Sequence, residues 1–269
     1  MRDPAALLTV AEQAVDAGCG WLAHAGEEWS ARSFKPSGEE VTAADVEVER
    51  VVSQVLRRLS PGIPVVGEES ATGRPLPPRC WLLDPIDGTM NFARGAPFHA
   101  LSLAYAEDGA PLLGVLDAPA LGRRWRTGTH DGPSRAPVRA RTVSEAVVGI
   151  TGTGSGEARL VRRIALLQSA AYRIRMQGAM SLDLVGVAEG WLDACLCLAP
   201  KPWDVAAGTA LARQRGKTVL GAGGGEFVLG SPVLVAGEEA LARQILGMWE
   251  TPPAGAGPDT TELGAPEQP

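Results

Sequence analysis

Histidine is scarce in this chain, with three among 269 residues. Cysteine is hardly more frequent: Cys19, Cys80, Cys195 and Cys197, with no C-x-x-C spacing. These shortages argue against a zinc site and against a disulfide framework, and they suit a reduced, cytoplasmic protein. No run of eighteen apolar residues occurs, so no membrane span is expected. The first residues lack the apolar stretch of a secretory signal. Nor is there a block of like charge. The 25 basic residues are dispersed among 31 acidic ones, net −6, which argues against a nucleic-acid groove.

What remains is ordinary globular composition, 45% apolar, in a chain long enough for one large domain or two small ones. Asp3-Pro4 starts a helix whose apolar residues recur at helical spacing to about residue 29. A polar loop follows at 33–40. Thr42 opens a second helix, with Val48, Val52, Val55 and Leu59 on its apolar face. Strands are predicted at 63–66 and 81–83, the latter stopped by Pro85, then at 98–106 and 112–116 as a hairpin, and at 123–127. A Gly/Pro-rich stretch at 128–137 reads as a boundary. Beyond it strands (147–151, 172–176, 191–198, 218–220, 233–236) alternate with helices (157–169, 180–188, 204–215, 237–248), an α/β grammar. The chain thus divides into an N-terminal α+β half, 1–137, a C-terminal α/β half, 138–250, and a disordered tail, 251–269.

The acids carry the chemistry. Cys80-Trp81-Leu82-Leu83-Asp84-Pro85-Ile86-Asp87-Gly88-Thr89 is a buried strand running into two carboxylates three residues apart. Like charges held that close raise each other's pKa unless a cation lies between them, and an oxygen-only donor set suits magnesium or calcium. Each acid also has a plainer reading. Asp84 and Asp87 could belong to an ordinary turn, Asp45 to a capping box with Thr42, Glu68-Glu69 to a solvated turn, and Asp204 to a helix start.

The ordered set is more specific than its members. Val41-Thr42-Ala43-Ala44-Asp45, Gly67-Glu68-Glu69-Ser70, Asp84-Pro85-Ile86-Asp87-Gly88-Thr89-Met90-Asn91-Phe92 and Trp203-Asp204-Val205-Ala206-Ala207-Gly208 together resemble the inositol monophosphatase family of magnesium-dependent phosphomonoesterases, over about residues 1–250. The resemblance implies an α+β fold, a layered α-β-α-β-α sandwich, as a homodimer. It implies that Glu68, Asp84 and the Ile86 carbonyl hold one Mg2+, that Asp84, Asp87 and Asp204 hold a second, and that a third sits near Glu68. Asp45 and Thr89 would orient and deprotonate the attacking water, and the backbone of Gly88 and Thr89 would cradle the phosphate. Asp87, Gly178, Met180 and Cys197 would line the substrate pocket.

Departures from the family pattern bear on the substrate. Met90 replaces the usual Thr, and Glu39 replaces the usual Asp in the loop that keeps Lys35. The Glu that grips inositol in inositol-specific members falls at Cys197, and a small pocket residue falls at Met180. These changes imply a pocket less suited to a polyol, with a sugar, cyclitol, nucleotide or amino-alcohol phosphate as the substrate. Two alternatives stand beside this reading: a 3′(2′),5′-bisphosphate nucleotidase, and a non-catalytic regulatory or binding protein on the same fold.

Overall fold

The computed structural model describes residues 3–35, 40–128, 140, 142–152 and 158–251. In chain order the elements are α1 (Pro4–Leu22), β1 (Arg32–Phe34), β2 (Glu40–Thr42), α2 (Ala43–Leu59), β3 (Val65–Gly67), β4 (Arg79–Asp87), α3 (Thr89–Phe92), β5 (Ala100–Glu107), β6 (Ala110–Ala118), β7 (Arg123–Arg126), β8 (Val147–Gly152), α4 (Ala158–Ala170), β9 (Arg173–Arg175), α5 (Met180–Glu189), β10 (Ala194–Leu198), α6 (Pro202–Gln214), β11 (Thr218–Leu220), β12 (Val233–Gly237) and α7 (Glu239–Glu250). Residues 129–137 of the expected boundary, Glu39, and the tail from 252 onward lie outside the described residues.

Two five-stranded sheets organise the chain, in the orders β3-β4-β5-β6-β7 and β11-β12-β10-β8-β9. β4 alternates between two apolar faces, as a strand buried on both sides must. Trp81 and Leu83 face α1 and α2, packing with Val15, Val48 and Val52. Cys80 and Leu82 face the other way, onto Leu182 and Val185 of α5 and Ala206 and Leu211 of α6. The opposite sides of α5 and α6 meet the second sheet through Leu184, Val205, Cys197 and Leu234. That sheet's outer face packs Leu196 and Val235 against Leu167 of α4 and Ile245 of α7. The layers therefore run α-β-α-β-α. Residues 180–188 of α5 are all buried, because a helix between two sheets has no solvent side. Full burial of each large aliphatic side chain contributes about 1.5–3 kcal/mol.

Several expectations are corrected. α1 ends at Leu22, and residues 27–30 form a separate 3-10 turn that brings Trp29 edge-on to Trp21, ring centroids 4.9 Å apart. The expected polar loop at 33–40 begins and ends in paired strands, with Arg32 opposite Thr42. Pro85 does not stop β4. It sits at a register irregularity between Asp84 and Asp87, where the ladder to β5 skips and no N–H is required. α6 starts two residues before Asp204, with Pro202 in its first turn, the position where a missing N–H costs nothing.

Candidate active site

The site forms where β3, β4 and the starts of α2, α3 and α6 converge. Asp45 lies in the first turn of α2. One oxygen accepts the Thr42 backbone N–H at 2.8 Å and the Thr42 hydroxyl. The other accepts the Thr89 hydroxyl at 3.0 Å. Helix cap and Thr89 partner are thus the same carboxylate, with one oxygen for each. Burial raises its pKa against the pull of those hydrogen bonds.

The Glu68-Glu69 turn is held from both sides. The Glu68 N–H donates to the Leu83 carbonyl at 3.0 Å, and the Glu69 N–H donates to a Glu49 carboxylate oxygen at 2.8 Å. Gly67 makes room for Glu49, since a Cβ there would lie 2.3 Å from its carboxyl carbon. Lys35 reaches Glu68 at 2.6 Å and Glu69 at 2.7 Å. Burial works against the Lys35 charge, yet hydrogen bonds to the two acids raise its pKa above the ordinary lysine value. Burial pushes Glu69 up to about 7, opposed by Lys35.

Asp84, 2% exposed, closes a triad. Ligand oxygens of Glu68, Asp84 and Asp204 all lie within 4.8 Å of one another. Burial, then the charges of Glu68, Asp87 and Asp204, raise the Asp84 pKa well above the usual carboxylate range. Three hard oxygen donors crowded so that they cannot easily all ionise without a counter-charge fit a divalent cation such as Mg2+. Asp204 projects from the first turn of α6, where it also accepts the Lys201 backbone N–H at 2.8 Å.

Asp87 does not join that triad. Its oxygens accept the backbone N–H groups of Ser181 at 2.7 Å and Met180 at 3.3 Å, at the start of α5. An acid at a helix N-terminus is well placed electrostatically, and burial still pushes it up to about 7. The Ile86 carbonyl accepts the Thr89 hydroxyl at 3.1 Å. Gly88 turns the chain into α3 with φ 88°. A side chain there would be strained and would meet the Phe98 carbonyl at 2.7 Å.

These residues open onto a cavity of about 1250 Å3 that Glu68, Asp84, Ile86, Asp87, Gly88, Thr89 and Asp204 line together, with Gly178 and Met180. Cys197 is not in that wall. It is fully buried in the cluster with Leu184, Val205 and Leu234, because its place in β10 points it toward the helix layer. Leu198 and Ala199 line the cavity instead. Glu49 was not singled out from sequence. Its signal was its position four residues after Asp45, on the same helical face.

The fold and the acid-lined cavity define a layered α+β sandwich with an acidic cluster at its sheet ends that could hold a cation. The chain belongs to the inositol monophosphatase family, whose profile matches residues 3–250. It is 32% identical over 235 residues to inositol-1-monophosphatase ImpA of Mycolicibacterium smegmatis, covering 82% of this chain and 84% of that one. To the histidinol-phosphatase of Mycobacterium tuberculosis it is 37% identical over 193 residues, 68% of this chain and 74% of the relative. To the fructose-1,6-bisphosphatase/inositol-1-monophosphatase of Thermotoga maritima it is 33% identical over 195 residues, 69% and 73%. Among solved structures, Mycobacterium tuberculosis SuhB superposes with TM-score 0.72 at 27% identity, covering 92% of this chain and 97% of that one. The extragenic suppressor protein suhB of Bartonella henselae superposes with TM-score 0.79 at 25% identity, 91% and 98%. No helix among the described residues is long and apolar enough to cross a membrane.

Proposed function

We propose that this protein is a Mg2+-dependent phosphomonoesterase acting on a small phosphorylated metabolite. The observation that carries the reading is one cavity end holding both the Glu68–Asp84–Asp204 triad and the Asp45–Thr89 hydrogen bond. Glu68, Asp84 and Asp204 would hold the cation, with Asp87 and the Ile86 carbonyl near enough in sequence to add ligands to a second or third ion. When bound, the cation supplies the positive charge that lets an anionic ester be approached by a nucleophile.

The chain's own residues supply the rest. The Thr89 hydroxyl, fixed by Asp45 and the Ile86 carbonyl, orients a water molecule. As the water oxygen bonds to phosphorus, one of its protons passes to the Thr89–Asp45 pair, the bond from phosphorus to the ester oxygen breaks, and that oxygen takes a proton from solvent water to leave as an alcohol. The backbone of Gly88 and Thr89 would receive the phosphoryl oxygens. Positioning and charge carry most of the rate in such a transfer.

The relatives named above are, by name, phosphatases of inositol, histidinol and fructose phosphates, so similarity does not choose a substrate. Met180 in the wall favours a leaving group less hydroxylated than inositol. The test is phosphate release from a panel of phosphomonoesters with Mg2+ and with chelator. Turnover that requires Mg2+ is expected, and silence across the panel would leave a binding protein on this fold. Size-exclusion chromatography with light scattering tests the homodimer that the family likeness suggests.

A further inference from the structure

A carboxylate is buried beside the Glu68-Glu69 turn without a cation to match it. Glu49 lies one helical turn after Asp45 on α2 and is 6% exposed. Among the described residues no lysine, arginine or histidine pairs with it. Its hydrogen bond is to a neutral donor, the Glu69 backbone N–H at 2.8 Å. A buried acid in that situation costs stability, and an apolar side chain would serve the core better. Val48 and Val52 on the same helix do just that.

Gly67 is fitted to this acid. It ends β3 and is not among the glycines with positive φ, so its backbone does not call for glycine. The space does. A Cβ there would stand 2.3 Å from the Glu49 carboxyl carbon and 2.3 and 2.6 Å from its two oxygens. An acid that the core does not need meets a glycine that the backbone does not need, so the contact itself has a use.

That use bears on Glu68. The Glu68 N–H donates to the carbonyl of Leu83, the residue before Asp84, at 3.0 Å, and the next N–H along the chain donates to Glu49. The backbone on both sides of Glu68 is thus fastened, once to β4 and once to α2. Lys35 cannot do the same service. It holds the Glu68 carboxylate itself, at 2.6 Å, and so competes with a cation for the ligand oxygens. Glu49 holds the backbone and leaves those oxygens free.

We propose that Glu49 is a positioning residue for cation binding: through the Glu69 N–H it sets the Glu68 backbone so that the Glu68 carboxylate meets Asp84 and Asp204. This rests on the cation-dependent reading above and extends it to a residue outside the cavity wall.

Calorimetric titration of the whole chain with Mg2+ alone tests it. Glu49→Ala should weaken Mg2+ binding about tenfold to a hundredfold, the usual effect of losing a group that orients a ligand. Glu49→Gln keeps an oxygen for the Glu69 N–H and should stay within about threefold of wild type. Gly67→Ala should displace the carboxylate and weaken binding in the same way. It should add little once Glu49 is already alanine, since both changes remove one contact. Val52→Ala, in the apolar face of α2, controls for lost stability: it should lower the melting temperature and leave Mg2+ affinity unchanged. Phosphate release by Glu49→Ala should regain most of its rate at saturating Mg2+, because the Asp45–Thr89 hydrogen bond does not pass through Glu49. Unchanged affinity in Glu49→Ala, a glutamine variant as weak as the alanine one, or an equal loss in Val52→Ala overturns the inference while leaving the phosphatase intact. A wild type that takes up no Mg2+ removes the cation-dependent reading, and this one with it.

Discussion

Asp84 concentrates the electrostatic problem of the site. It is buried beside Glu68 and Asp204, so without a cation its charge is costly, and with one it becomes a ligand. Asp84→Asn should therefore lower turnover by more than about a hundredfold, beyond the usual effect of disturbing a ligand's outer partners. The same change should raise the melting temperature in chelator and abolish the rise expected from Mg2+ in the wild type. Thermal melts with and without Mg2+ check this, and a variant still stabilised by Mg2+ would contradict the assignment. Asp183 offers a separate measurement. Fully buried, it accepts the Thr151 hydroxyl and the Gln177 side-chain N–H, the latter at 2.8 Å. Burial pushes it up to about 6 from 3.8. The folded state thus holds the proton more tightly than the unfolded chain. Its contribution is complete below about pH 4 and is lost as pH rises through about 6, on the order of 3 kcal/mol. Asp183→Asn should flatten that slope, so denaturant titrations should favour the variant, relative to wild type, more at pH 7.5 than at pH 4.5. Asp45, Glu68, Asp84 and Asp204 could be picked out of the sequence only as an ordered set that resembles a family pattern, since each alone has a plainer reading. Asp87's engagement with α5 could not be picked out, since its partners are backbone groups more than ninety residues away.

At the level of elements, the short α3 is fastened across the molecule. The Asn91 side-chain N–H groups donate to the Phe98 carbonyl and to the Gln177 carbonyl, both at 2.7 Å. Asp87, just before α3, grips the start of α5. Thr89 rides between these two anchors, so Asn91 is a positioning residue for it. Asn91→Ala should lower kcat about tenfold or more through misplacement of the hydroxyl. Cation-induced stabilisation should persist, because Asn91 touches none of the triad. Steady-state kinetics and Mg2+ melts on the same sample check the split, and loss of both would show general unfolding instead. Strand and helix order was readable from periodicity and Gly/Pro punctuation. Boundaries were less so. β4 continues past Pro85 because the pairing skips there, which depends on β5. The orientation of α5 could not be read at all, since a helix apolar on every side has no preferred face.

Across the whole molecule, one close contact ties the first sheet to α6. A Cβ on Gly114 of β6 would lie 2.6 Å from the Ala207 Cα and 2.7 Å from its carbonyl oxygen. Gly114→Val should cost about 1–3 kcal/mol as an overpacked core. Because α6 carries Asp204, it should also weaken Mg2+ binding, although Gly114 is no part of the site. Denaturant midpoints and calorimetric Mg2+ titration test both effects, and normal affinity in a destabilised variant would mean that α6 does not transmit the shift. The five layers were foreseen through family likeness, not composition, because nothing in local patterning says which sheet a buried helix covers. That α5 and α6 serve both sheets has an evolutionary corollary. Neither half could be lent alone to another protein, since removing the C-terminal portion would strip β4 to β6 of their inner lining. Recombination near residues 128–140 would succeed only between chains whose sheet and helix surfaces had already drifted together, so relatives of this enzyme fold should diversify by altering loops and rim side chains and should seldom trade halves.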